Sequence, residues 1–246
     1  MAYTIDLKGK VAIITGSVKG IGLATANFLT KAGAQVVMND LASQELVTET
    51  LNSVAENGRN PLYIQKDIST QENTLELVAK VIEKFGQVDF LVNNAGLVAD
   101  WDVSYAVHVK GLYFCSEAVI PHMKKQRSGR IINLTSTCVQ TGGTGIPQYV
   151  ATKAGAYSLT RYFAKKYAKD GILTNAIMPA VIMSDMIMTR YESEEEMIAH
   201  YVPQMPIRRI GYPDDVAKIV LFLCSDLSSF INGEVIVADG GRMYVG

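Results

Sequence analysis

In YVATK a tyrosine (Tyr149) and a lysine (Lys153) stand four residues apart, at the start of a long amphipathic run. On a helix that spacing places both side chains on one face, one turn apart. A free phenol titrates near pH ~10, too high for a base at neutral pH. A fixed ammonium beside it favours the phenolate and pulls that value down. The pair could therefore act as a general acid/base. The same spacing also describes a helix-start tyrosine packed on a lysine stem, so its meaning depends on what accompanies it. Ser136 ends the apolar run RIINLTS (Arg130 to Ser136), where its hydroxyl can hold a substrate oxygen beside the phenol; a serine that only ends a strand is the plain alternative. Thr135 is its immediate neighbour.

Such residues need a frame, and the N-terminal half supplies one. VAIIT (Val11 to Thr15) is short, β-branched and apolar, as a buried parallel strand would be. TGSVKGIG (Thr15 to Gly22) follows at once, and ATANFLTKAGA reads as a helix. Strand, glycine turn and helix in succession suit a phosphate, with Gly16 allowing the turn and Gly20 and Gly22 allowing close backbone approach. The glycines fall as GxxxGxG rather than GxGxxG, and an ordinary βα turn is the alternative. The next strand, AQVVMND, ends in Asp40, placed to bind a ribose diol and to repel a further phosphate there. Lys19 could meet that phosphate or be a solvated loop side chain; Asp40 points to NAD over NADP. A third strand, PLYIQKDIS, ends in Asp67, which could accept from an adenine amino group or belong to a helix N-cap region. ENTLELVAKVIEKFG is amphipathic at helical spacing, and VDFLVNNAG (Val88 to Gly96) is a fourth strand with a turn at its C-terminal end. Ligands gather at such ends in doubly wound sheets.

Composition narrows the classes. With 246 residues, 48% of them hydrophobic, the chain can bury a large α/β core. A net charge of -1, spread along the chain, argues against nucleic acid or an anionic membrane as partner. Cys115, Cys138 and Cys224 lie far apart, which points to a reducing cytoplasm rather than a disulfide framework. No stretch approaches ~18 uninterrupted apolar residues.

Taken in order, TGSVKGIG, Asp40, Asp67, NNAG, Ser136, YVATK and the C-terminal DGG (Asp239 to Gly241) resemble the short-chain dehydrogenase/reductase family in its compact single-domain form, from Lys8 to Gly241. The resemblance implies one α/β, Rossmann-like domain over residues 1–246, its nucleotide half at 8–96 and its catalytic half at 97–246. Its doubly wound parallel seven-stranded sheet would have helices on both faces and the order 3-2-1-4-5-6-7. It implies NAD-dependent interconversion of a secondary alcohol and a ketone, with Tyr149 as acid/base, Ser136 holding the substrate oxygen and Lys153 tuning the tyrosine and binding the nicotinamide ribose. The family's thirteen-residue spacing to Tyr149 favours Ser136 over Thr135. Cofactor contacts carry over to the glycine turn (Gly16, Ser17, Lys19, Gly20, Ile21, Gly22) and to the strand ends at Asp40, Leu41, Asp67 and Ile68. They also carry over to the NNAG turn (Asn94, Ala95, Gly96) and to the exit of the sixth strand (Pro179, Ile182, Ser184). No metal is implied. A homotetramer is implied through the helices at Trp101 to Met123 and Tyr149 to Ala168.

The chain departs from the family pattern at several points. His108 stands where the family has an asparagine that supports a water chain to the lysine; it could replace that asparagine in the relay, through its ring or through its backbone carbonyl at a local kink, or be only a helix residue. A ring in the relay would add a pH limb near ~6.5. Only LVAD (Leu97 to Asp100) separates NNAG from Trp101, shorter than the family's segment there. Pro179-Ala180 replaces Pro-Gly. Met183, Met186, Met188 and Met197 suit an adaptable substrate lid, with helix packing as the alternative for Met197. Arg190, His200, Arg208 and Arg209 near that lid leave room for an anionic substrate, though a charged surface explains them too; Arg209 matches a structural arginine. Two other functions stay open on this fold: a nucleotide-binding regulator, and an isomerase or dehydratase that uses NAD transiently.

Overall fold

A computed structural model describes residues 4–143 and 145–244. Seven strands form one parallel sheet: β1 (Val11–Thr15), β2 (Gln35–Asp40), β3 (Leu62–Gln65), β4 (Phe90–Asn93), β5 (Gly129–Leu134), β6 (Ile172–Pro179) and β7 (Val235–Ala238). Their order is β3-β2-β1-β4-β5-β6-β7, as the resemblance implies. The alternation of side chains along each strand builds two cores. Ile13, Val37, Leu91 and Ile131 face one way, onto α3 (Gln71–Phe85), α5 (Leu112–Gln126) and α7 (Pro147–Tyr167), where Leu77, Val119 and Phe163 are buried. Ala12, Ile14, Val36, Val92 and Ile132 face the other way, onto α1 (Gly20–Lys31) and α10 (Pro213–Cys224), with Leu29, Val220 and Leu223. Burial on both faces is why these strands read as continuous apolar runs. The remaining helices are α2 (Gln44–Ala55), α4 (Trp101–Tyr105), α6 (Cys138–Thr141), α8 (Asp185–Met188) and α9 (Glu194–Tyr201). Among the described residues no helix is long and apolar enough to cross a membrane.

The chain order reverses where β4 returns to pair with β1, Ile13 lying opposite both Val37 and Leu91. That reversal opens a crevice at the C-terminal ends of the strands. One difference from the sequence reading falls beside it. The resemblance implies one helix from Trp101 to Met123, but α4 passes into a π-helical segment, Ala106–Gly111, before α5 resumes and runs to Gln126. A π segment widens the turn by one residue and disturbs the regular carbonyl ladder, a form common at functional sites. His108 lies inside it.

Candidate active site

β5 delivers Ser136 to the crevice and α7 delivers Tyr149 and Lys153. Pro147 occupies the first turn of α7, where its missing N–H costs nothing, so Tyr149 also falls in that turn. Thr135 donates its hydroxyl to the Lys153 carbonyl (2.8 Å), fastening strand to helix, and Ser136 lines the cavity with Tyr149, its Oγ accepting from the Cys138 N–H (3.3 Å). Lys153 is buried, and its Nζ donates to the Leu134 carbonyl at 3.0 Å and lies 5.7 Å from the centre of the Tyr149 ring. Burial pulls the lysine down to about 8.

The expected lowering of the tyrosine pKa is not realised. Burial pushes the Tyr149 phenol up to about 12, aided by the neighbouring Cys138, while the Ser136 hydrogen bond and the charge of Arg190 pull back. The lysine's Nζ is turned to the Leu134 carbonyl, and desolvation of the phenolate outweighs the local positive charge. At neutral pH the phenol keeps its proton, the state a general acid needs.

His108 does not behave as a titrating relay group. Its Nε2 accepts from the Leu97 N–H (3.0 Å), so the ring proton sits on Nδ1, which faces the Thr152 hydroxyl at 2.8 Å. Thr152 in turn donates to the Gln148 carbonyl at 2.7 Å. Burial and the Lys153 charge push His108 down to about 3, so the pH limb near 6.5 is not expected. Its ring meets Tyr149 edge-on at 5.5 Å. The two departures are one feature: the short LVAD segment has a backbone N–H that needs an acceptor, and His108 supplies it. Gln148 Nε2 donates to the Ala99 carbonyl (2.8 Å), and Asp100 caps α4 by accepting from the Val103 N–H (2.9 Å). The shortened segment is thus tied to both flanking helices.

A stability test follows from the histidine. Above pH ~6.5 the residue is neutral in folded and unfolded chains alike; below it, only the unfolded chain gains the proton until about pH 3. Stability is therefore full above ~6.5 and falls as pH drops toward 3, by up to ~1.4 kcal/mol per pH unit. His108→Asn should flatten this slope. Urea melts of both proteins at two pH values, one on each side of ~6.5, check it; parallel losses would assign the acid sensitivity to other groups.

At the nucleotide end, Gly16 has φ 62°, and a Cβ there would lie 2.7 Å from the Ala95 Cα. Asn94 Nδ2 donates to the carbonyls of Thr15 (3.0 Å) and Gly16 (2.7 Å), pinning the turn to β4. The N-terminus of α1 has no side-chain cap and no acid in its first turn, so its N–H groups are left for an anion. Asp40 is held at the cleft by the N–H groups of Val18 (3.2 Å) and Leu41 (2.8 Å). These residues fit a dinucleotide. Its cavity, about 1620 Å³, runs from Gly16, Lys19, Gly20 and Ile21 past Asp40, Leu41, Asp67, Ile68, Asn94, Ala95 and Gly96 to Ser136, Tyr149, Lys153, Pro179, Ile182 and Ser184. Three residues assigned from the sequence do not line it. Ser17 is buried with its hydroxyl donating to the Asn39 carbonyl (3.3 Å), Gly22 packs beneath the turn, and His108 lies behind Gly96. Lys19 is neither solvated alone nor aimed at a ribose: it pairs with Asp185 of α8 at 2.9 Å, across the crevice, with side chains 73% and 77% exposed. Such a pair contributes at most ~1 kcal/mol. Met183, Met186 and Met188 line the cavity, whereas Met197 is buried against Val181 and Ile210. Arg209 pairs with Asp215 (2.6 and 2.8 Å), as a structural arginine would. Arg242 also reaches the cavity wall. Its only sequence signal is its place just after the Asp-Gly-Gly turn.

A parallel sheet of this order, with an acid/base pair and a glycine cradle on the crevice at its reversal, is the architecture of nicotinamide-dependent oxidoreductases. Comparison with known proteins narrows the class. A family model described as Enoyl-(Acyl carrier protein) reductase matches residues 16–242. A 3-oxoacyl-[acyl-carrier-protein] reductase of Thermotoga maritima is 35% identical over 245 residues, 96% of this chain and 98% of that one. A (2S)-[(R)-hydroxy(phenyl)methyl]succinyl-CoA dehydrogenase subunit of Thauera aromatica is 35% identical over 248 residues, 97% and 98% of the two chains. A Sinorhizobium meliloti crystal structure described as a short-chain alcohol dehydrogenase superposes with a TM-score of 0.92 at 31% identity, covering 99% of this chain and 100% of the other. The chain belongs to the short-chain dehydrogenase/reductase family and is an oxidoreductase of that family.

Proposed function

We propose that the protein reduces a ketone to a secondary alcohol, and runs the reverse, with NAD as its preferred cofactor. The observation that carries this reading is the set of Ser136, Tyr149 and Lys153 on one wall of the cleft, with the phenol protonated. Ser136 and Tyr149 hydroxyls would hold the ketone oxygen, and Tyr149 would give it a proton. Nicotinamide, when bound, supplies the hydride. The glycine turn would hold the phosphates, Asp40 the adenosine ribose and Lys153 the nicotinamide ribose. Proton resupply would pass through Lys153 and a water. A cavity of about 10 Å³, one water in size, is bounded by Lys153, His108 and Asn93, and Asn93 Oδ1 is buried without a hydrogen-bond partner among the described residues. His108 would shape that site from the π segment.

A binding-only regulator has no need of this set, and an isomerase or dehydratase would return its cofactor unchanged. The test is a screen of ketones with NADH at the nicotinamide absorbance band. One NADH oxidised per alcohol formed is the expected result, and product without net NADH loss would favour the isomerase or dehydratase reading. The names of the relatives make 3-oxoacyl compounds a sensible part of the screen.

For the cofactor, Asp40→Ala should relax the preference for NAD over NADP by at least tenfold in the ratio of kcat/KM values, ~1.4 kcal/mol. The fixed carboxylate opposes a phosphate at the same place, and Lys19 is already engaged by Asp185. Equal or better use of NADPH by the unaltered protein would remove the claim.

A further inference from the structure

Beyond Tyr149 the cavity is walled by the chain after β6 and by the turn after β7, and each brings one arginine to it, Arg190 and Arg242. The turn is made by Asp239, whose carboxylate accepts from the N–H groups of Gly241 and Met243, both at 2.8 Å. Gly240 and Gly241 take φ of 62° and 85°, which reverses the chain. Arg242 is thereby laid over Tyr201, its guanidinium carbon 5.3 Å from the ring centre, and its Nη2 donates to Gln204 Oε1 at 2.9 Å. Tyr201 meets the ring of Tyr191 edge-on at 5.8 Å, and Tyr191 follows Arg190 directly. Arg242 thus rests on one ring of an aromatic pair, and Arg190 precedes the other ring in the chain.

The charges around the cavity are otherwise accounted for. Lys19 pairs with Asp185 and Lys66 with Glu76, while Asp40 and Asp67 lie at the ends of β2 and β3, on the nucleotide side. Lys153 donates to the Leu134 carbonyl. Among the described residues neither Arg190 nor Arg242 pairs with a carboxylate, unlike Arg209 in the same region. A guanidinium is always charged, and its planar fork matches a carboxylate in two hydrogen bonds. One of these two is already held in place by an aromatic face and a carboxamide.

We propose that Arg190 and Arg242 bind a carboxylate of the substrate, so that the ketone is a short oxo acid. This deepens the ketone-reductase reading and rests on it. The shared cavity argues for a short acid: Arg190 and Arg242 line the same cavity as Tyr149, so an anion beside them occupies one space with a carbonyl at the phenol. A thioester of a carrier would keep its nearest phosphate at the far end of a long arm. Met183, Met186 and Ile187 line the same cavity and give an apolar bed for the intervening carbons.

The experiment compares 3-oxohexanoate, its methyl ester and its N-acetylcysteamine thioester as substrates with NADH. The acid should exceed both in kcat/KM by about 10- to 100-fold, mainly through KM. Arg190→Gln and Arg242→Gln should each lower kcat/KM for the acid at least tenfold more than for the ester. Calorimetry with butyrate and butyramide, neither of which can be reduced, gives a readout free of turnover: the amide should bind weakly, and the arginine variants should lose the butyrate signal. Equal use of acid and ester, a thioester far better than the acid, or variants that bind butyrate normally would overturn the inference while leaving ketone reduction intact. Turnover of none of the three would count against the ketone-reductase reading, and the butyrate titration would still decide the arginine site.

Discussion

Tyr149→Phe is expected to lower kcat by ~10²- to 10⁴-fold, the usual contribution of a positioned acid/base. The substitution removes one oxygen. The ring keeps its edge contact with His108 at 5.5 Å and its place beside the Lys153 ammonium, so the fold and the cofactor half should be unaffected. Ser136 would remain to hold the ketone oxygen but would have no phenol beside it, and the neighbouring Cys138 thiol, pushed up by burial, is a poor substitute as proton donor. Stopped-flow reduction under single-turnover conditions should show the chemical step slowed, while NADH fluorescence titration and the melting temperature match the parent. A variant that kept most of its rate would place the proton donor elsewhere. Because burial holds the phenol at about 12, the parent's rate of ketone reduction should show no loss of the acid form across neutral pH.

Gly22→Ala should cost cofactor binding at least tenfold and destabilise the protein by ~1–3 kcal/mol, the range for overpacking a tight site. A methyl group there would overlap the Gly16 carbonyl oxygen and come within 2.6 Å of Asn94 Nδ2 and 2.8 Å of the Ser17 Cα. These atoms belong to the turn itself and to the side chain that pins it, so no flexible end can move aside. The turn would have to shift, carrying Gly16 and the uncapped start of α1 away from a phosphate. Gly20→Ala is the control. It meets no atom within 4 Å, so it should show only the strain of its positive φ (56°) and not the collision. Isothermal titration with NADH and a thermal melt of each variant measure the two effects. Normal NADH affinity in Gly22→Ala would mean that the turn is softer than its packing implies.

Legibility differed between features for physical reasons. The glycine turn, the acidic end of β2 and the Tyr149–Lys153 pair are local: a few adjacent residues carry the whole signal. The separation of Ser136 from Thr135 needs the distance to Tyr149; in the fold the Thr135 hydroxyl is spent on the Lys153 carbonyl. Ser17 and Gly22 sit within the glycine motif and were read with it, yet a turn has an underside as well as a mouth, and both lie beneath. Lys19 found its partner 166 residues away, and Arg242 reached the cavity only after the last strand had been laid beside β6. No periodicity reports such meetings.

By itself, the sequence determined the seven-stranded parallel sheet, its order, the place of the crevice and the identity of the residues that line most of it. The strands follow from apolar runs buried on both faces and the nucleotide turn from its glycines, each written within a short stretch of chain, while the sheet order and most of the lining are carried by the family resemblance that the ordered motifs establish. Only the tertiary structure decided the electrical state of the site. Burial raised Tyr149 to about 12, lowered Lys153 to about 8 and left His108 neutral, saturated by the Leu97 N–H and Thr152. A side chain's charge depends on how much water its neighbours exclude and on which distant dipoles face it, and both are set when segments far apart in the chain pack together.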